Sequence, residues 1–241
     1  MRNWRHKEKT LEAQFEENPR ELIIKTPLFR DNIIPHHPLE KNLFILKENE
    51  FNINLMQQDV SNIQKNANWH NKGDKDWFSI TLKSKDGLEQ NFLEETKLGI
   101  GKENEYRYSA LMDHAPYIKQ ILESLGTEIY LVRLLKLNAR GKIKYHTDEI
   151  VFKKRREIIR CHIPIITNPS VSFKIGYPLA SPAPGFRVWN AAELYARYLK
   201  PGYLWYTNVN CLHSVENNSN IDRVHLVVDM RPTPEMMGKI Y

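Results

Sequence analysis

At 241 residues with 41% hydrophobic content, the chain is long enough to bury one large core. Its formal net charge of +6 is spread through the sequence, so no basic arm or patch for nucleic acid is legible. No apolar run approaches a membrane span and Met1 to Thr10 is too charged for a secretory signal; the two cysteines, Cys161 and Cys211, suggest no disulfide framework, so the expected compartment is the cytoplasm.

Met1 to Glu17 carries Trp4, Leu11 and Phe15 among charges, consistent with a short amphipathic or frayed helix. From Leu22 to Phe44, prolines 27, 35 and 38 interrupt the apolar residues, and extended chain draped over the domain is expected, with His36-His37 solvated rather than ligating. Leu55, Met56, Val60 and Ile63 recur at helical spacing and predict a helix over about 54–66, ended by the polar run Asn66 to Gly73. Asp76 to Leu82 alternates and meets a turn at Asp86-Gly87. A second helix follows from the stripe Tyr117, Ile118, Ile121, Leu122 and Leu125, with Pro116 in its first turn and Gly126 past its end.

Glu128 to Leu137 reads as a buried strand, and a turn at Asn138 to Gly141 delivers Lys142 to Asp148. Short strands are then expected over 158–166, 171–175, 193–199, 203–208, 212–215 and 222–229. Many short strands between Pro/Gly turns argue for a sandwich or jelly roll. The loop over 176–190, rich in proline, is either a lid or substrate rim or an inert surface excursion.

The chemistry is concentrated in Lys144-Tyr145-His146-Thr147-Asp148, read with His213 and Arg223. On an extended strand residues i and i+2 point the same way, so His146 and Asp148 can reach one metal. His213, from a neighbouring strand, completes two histidines and a carboxylate, the facial triad that leaves open positions on a non-haem Fe(II). Alternation along Arg223 to Asp229 sends Arg223 and His225 to one face and Val224, Leu226 and Val228 to the other. A buried Arg223 needs an anion, and its planar fork suits a carboxylate of a dicarboxylic co-substrate; an internal pair with Asp229 is the alternative. Arg160 and His162 share a face, with pocket and core readings both open, and His225 is expected to support the site or the core rather than ligate. Cys161 points to the opposite face as packing, Cys211 reads as a small buried hydrophobe, and Tyr203, Trp205 and Tyr206 as filling for the sheet's two faces.

With these residues in order, the chain resembles the aspartyl/asparaginyl β-hydroxylase-like branch of the Fe(II)- and 2-oxoglutarate-dependent oxygenases, which includes free-proline hydroxylases. The resemblance runs through Tyr145 to Asp148, Arg160-Cys161-His162-Ile163-Pro164, Pro201 to Asn208, His213 to Asn217 and Asp222 to Asp229, roughly residues 106 to 232. It implies that His146, Asp148 and His213 hold iron and that Arg223 binds the distal carboxylate of 2-oxoglutarate, with Arg160 and His162 in the co-substrate pocket. The gap from His146 to Arg160 is longer than in animal aspartyl hydroxylases, with Glu149 to Glu157 extending the turn.

The expected architecture is mainly β with flanking helices, a double-stranded β-helix or cupin-like jelly roll. It is divided as 1–105, an N-terminal extension with helices and edge strands packing on the core; 106–232, the double-stranded β-helix oxygenase core; and 233–241, a C-terminal tail. The resemblance implies hydroxylation of an amino acid or amino-acid residue, with Fe(II) as cofactor, 2-oxoglutarate and O2 consumed as co-substrates, and succinate and CO2 released. The expected partner is a small amino acid or peptide rather than nucleic acid or a membrane. A nucleotide or nucleic-acid oxygenase with the same triad, or a jelly-roll binding protein without redox chemistry, are the alternatives.

Overall fold

The computed structural model describes residues 43–47, 50–72, 75–85, 87, 105–146, 148, 158–178, 191–209 and 212–240. The expectations for Met1 to Glu17, His36-His37, Glu149 to Glu157, Cys211 and most of the 176–190 loop lie outside these residues.

Twelve strands are described: β1 (Leu43–Lys47), β2 (His70–Asn71), β3 (Trp77–Lys85), β4 (Tyr106–Tyr108), β5 (Ile129–Leu137), β6 (Lys142–His146), β7 (Ile159–Ile166), β8 (Val171–Pro178), β9 (Ala191–Arg197), β10 (Leu204–Thr207), β11 (Leu212–Asn217) and β12 (Arg223–Met230). They form two antiparallel sheets. The larger runs β1-β10-β7-β12-β5-β3-β2, with β4 also on β3, and the smaller runs β6-β11-β8-β9. This is the expected double-stranded β-helix, in which chain-distant strands become neighbours.

Helices α1 (Ile53–Asn66) and α2 (Pro116–Ser124) and a 3₁₀ turn at Ala110–His114 cover the outer face of the larger sheet. Asn52 caps α1, its side chain accepting from the backbone N–H of Asn54 at 3.0 Å and Leu55 at 3.2 Å. The stripe Met56, Val60 and Ile63 packs with Ile118 and Leu122 of α2 onto Val132, Leu134, Ile163 and Leu226. β12 is buried on both faces: Val224, Leu226 and Val228 join this helical core, and Arg223, His225 and Asp229 face the smaller sheet. A second cluster, with Ile143, Phe173, Ile175, Trp205 and Val215, fills the space between the sheets. Among the described residues no helix is long and apolar enough to cross a membrane.

Asp59, inside the apolar stripe of α1, is buried and accepts the Ile118 N–H at 2.7 Å. The N-cap of α2 is Ala115, which has no side-chain acceptor, so Asp59 supplies the cap from another helix. Asp59→Ala should therefore lower stability by about 1–3 kcal/mol, the cost of a buried N–H left unmade, and urea unfolding would show it as a lower midpoint at unchanged slope.

Several short elements differ from the sequence reading. Leu43 and Phe44 belong to an edge strand paired with β10 rather than to draped chain, and β2 and β4 were not expected. Residues 233–241, expected as a tail, contain α3 (Pro234–Ile240). Such pieces are held by neighbours' hydrogen bonds and carry too few residues to show a period. β3, within the expected N-terminal extension, pairs with both β4 and β5 of the expected core.

Candidate metal and co-substrate site

β6 and β11 lie side by side with His146 directly opposite His213, their rings 4.2 Å apart. Asn217 holds the two strands' shared end. Its buried amide donates to the carbonyls of Asn138 and Ile221 at 3.0 and 2.8 Å, tying the turn before β6 to the turn after β11. β6 ends at His146, so Asp148 sits just beyond the ladder rather than on it, fixed by its N–H to the Val209 carbonyl at 2.9 Å. Asp148 Oδ1 is 3.5 Å from His146 Nε2, and Oδ2 is 4.0 Å from His213 Nε2. One ligand atom from each of the three lies within 4.8 Å of the others.

The histidines are presented for ligation. His146 Nδ1 donates to the Lys144 carbonyl at 2.7 Å, so that nitrogen carries the proton and Nε2 keeps its lone pair toward the gap. His213 is buried and stacks parallel to Phe173, with centroids 5.8 Å apart, which sets its ring plane. Trp77 lies 5.7 Å from the His146 ring on the other side.

Facing the triad from the larger sheet are Arg133 of β5, Arg160 and His162 of β7, and Arg223, His225 and Asp229 of β12. Neighbour registers Asp229↔Arg160 and Val227↔His162 bring them together. Arg160 Nε and Nη2 donate to the two oxygens of Asp229 at 2.6 and 2.7 Å, and its Nη1 donates to Asp148 Oδ2. Burial alone would lower the Arg160 pKa, but Asp229 and Asp148 raise it further, and it stays charged. Burial likewise pushes the Asp148 carboxyl up, yet the Arg160 guanidinium beside it holds it well below the usual carboxylate range.

Arg223 differs. It is buried, its Nη2 donates to His225 Nδ1 at 2.5 Å, and its Nε has no acceptor among the described residues. The alternative pair with Asp229 is not made, because Asp229 is taken by Arg160 and, at 4.0 Å, approached by Arg133. Burial pushes Arg223 down to about 9, still cationic at neutral pH. Among the described residues around this site, Arg133, Arg160 and Arg223 stand against Asp148 and Asp229, one positive charge in excess. A pocket open to solvent is lined by the triad, Arg160, His162 and Arg223, and by Arg133, Trp77 and Phe173, which the sequence alone did not single out. Only Arg133 left a trace there, as a charge in the middle of the apolar run Ile129–Leu135.

His225 accepts from Arg223 and lies 3.4 Å from His162, Nδ1 to Nδ1, so it braces Arg223 and is not a ligand. Burial first, and then the Arg223 charge, push both rings well below the ordinary histidine range. The unfolded chain therefore binds protons below about pH 6.5 that the folded chain refuses, and stability is lost as pH falls. The metal-free protein should show a falling Tm from pH 7 to pH 5, at up to about 1.4 kcal/mol per pH unit for each ring. A flat Tm over that range would mean that the rings are not buried neutral. Cys161 points away into the helical core, as expected, beside Tyr206.

Residues 45–232 match the family described as aspartyl/asparaginyl β-hydroxylase. The chain belongs to this family. It is a 2-oxoglutarate- and Fe(II)-dependent dioxygenase, with O2 as the second co-substrate. The family match begins well before residue 106, so β1, β3 and α1 lie within it. No curated protein sequence matches the chain. Similar solved structures include a 2OG-Fe(II) oxygenase family oxidoreductase from Burkholderia pseudomallei, at 12% identity and a TM-score of 0.47, covering 92% of this chain and 89% of that one. HygX from Streptomyces hygroscopicus, solved with nickel and 2-oxoglutarate bound, shows 10% identity and a TM-score of 0.49, over 83% and 89% of the two chains. A Pseudomonas putida prolyl-4-hydroxylase shows 11% identity and a TM-score of 0.44, over 79% and 92%.

Proposed function

We propose that this β-hydroxylase family member hydroxylates an amino acid or an amino-acid residue, of aspartyl/asparaginyl or prolyl type, in the cytoplasm. The family match supports the substrate class, and the buried, free Cys161 suits a reducing compartment. The observation that carries the site assignment is Arg223, a buried cation with no carboxylate partner among the described residues, in the wall of the triad's own cavity. A dicarboxylic co-substrate supplies the missing anion there.

The donor set fits the metal: two neutral imidazole nitrogens and one carboxylate with an open side is the facial arrangement suited to Fe(II). In this reading His146, Asp148 and His213 hold the iron, and Arg223, braced by His225, receives the distal carboxylate of 2-oxoglutarate. Iron so held, with 2-oxoglutarate and O2, supplies the oxidising chemistry, converting a C–H to C–OH as the keto acid becomes succinate and CO2. The protein's own part is orientation and shielding. Lys144 fixes the His146 tautomer, Phe173 the His213 plane, and the apolar walls of Trp77, Phe173 and Val215 limit water.

Anaerobic titration with Fe(II) and then 2-oxoglutarate should produce the weak visible charge-transfer band of a chelated keto acid. Succinate release screened over amino acids and short peptides then identifies the substrate. Iron uptake with no band would overturn the co-substrate assignment, and release stimulated only by nucleotides would overturn the substrate class.

A further inference from the structure

Asp148 is the weakest-held member of the triad by backbone alone, since β6 has ended two residues earlier and its one described backbone bond is to Val209. Its side chain is held by something more rigid. Arg160 stands in β7, between β10 and β12 in the larger sheet, and its side chain is aligned by both oxygens of Asp229 on β12. The remaining Nη1 reaches across to Asp148 Oδ2. Oδ1 accepts no hydrogen bond among the described residues and faces His146 Nε2 at 3.5 Å.

We infer that Asp229 and Arg160 form a positioning relay that holds Asp148 Oδ2, so that Asp148 offers Oδ1 alone to the metal. The inference rests on the oxygenase reading and assigns Arg160 to the metal side of the site instead of to the co-substrate. The physical reason is denticity. A free carboxylate at the end of a strand can swing to give a metal both oxygens, filling a position that the co-substrates need; one oxygen tied to a fixed guanidinium cannot. Three of the five N–H donors of Arg160 are taken by aspartates, among them its whole Nε/Nη2 fork, so the fork that would grip a ligand carboxylate from that side is already filled. Among the described residues Asp229 makes no hydrogen bond to the triad, and its link to Asp148 runs through Arg160.

The test is titration of the apoprotein with Co(II) alone, whose visible spectrum reports coordination number, in wild type, Arg160→Lys, Asp229→Asn and the double variant. Lysine keeps the charge but cannot bridge two carboxylates in a fork. Each single variant should bind Co(II) about 10- to 100-fold more weakly, as for loss of an outer partner of a metal ligand. The spectrum should change, and the double variant should be no worse than the weaker single. If Asp229→Asn does not fold, Asp229→Glu, which keeps charge but moves the carboxylate, takes its place. Wild-type Co(II) affinity and spectrum in folded variants would overturn the relay, as would additive losses; so would unchanged Co(II) binding with weakened 2-oxoglutarate binding, which would return Arg160 to the co-substrate. A wild-type protein that takes up no metal would overturn the oxygenase reading itself, a result separable from failure of the variants.

Discussion

His213→Ala is expected to abolish iron-dependent turnover, with a loss on the order of 10³-fold or more, beyond the 10- to 100-fold typical of outer partners. The residue is buried, stands directly opposite His146 and supplies the one ligand from a different strand, so no nearby side chain can replace it. Alanine would also leave the Phe173 ring without its stacked neighbour. For that reason the variant should be compared with His146→Ala, which sits at a half-exposed strand end and disturbs packing less. Succinate release and the Fe(II)–2-oxoglutarate band are the readouts. Both variants should lose both; a fully active enzyme from either would remove the triad assignment.

Arg223→Met should separate binding from stability in opposite directions. Truncating one partner of a desolvated, hydrogen-bonded charge pair costs about 2–5 kcal/mol of affinity, so the 2-oxoglutarate Kd should rise by roughly one and a half to three and a half orders of magnitude. Iron binding in the absence of 2-oxoglutarate should be nearly unchanged. The ligand-free protein should be as stable as wild type or more so, because Arg223 is a buried cation with no carboxylate partner among the described residues and methionine fills similar space without the desolvation cost. A purely structural arginine predicts the reverse: a lower Tm with normal co-substrate binding. Thermal unfolding with and without 2-oxoglutarate distinguishes the two, since ligand stabilisation seen in wild type should disappear in the variant.

The jelly roll and the triad were legible in the residues for definite reasons. Metal ligation demands particular side chains, so His146, Asp148, His213 and Arg223 stand out in the sequence, although the strand expected to carry both His146 and Asp148 ends at His146. The helices showed because their apolar stripes are long, and α1 and α2 begin and end near their predicted limits, with Gly126 at φ 64 just past α2. Alternation along β12 told which residues face inward.

What alternation could not tell is which inward residue meets which. Arg223, Asp229, Arg160 and Arg133 are all inward charges, and their sequence positions allow several pairings. Register decided among them: β12 lies against β7 so that Asp229 is opposite Arg160, which takes Asp229 and leaves Arg223, with no carboxylate partner among the described residues, for a ligand carboxylate to meet. The same holds for Trp77 and Phe173, ordinary core aromatics in sequence that become walls of the site only when β3 and β8 are brought beside β6 and β11. Single residues thus determined what chemistry this protein can hold. Strand pairing, a long-range property set by hydrogen bonds between segments far apart in the chain, decided how the charges around that chemistry are shared.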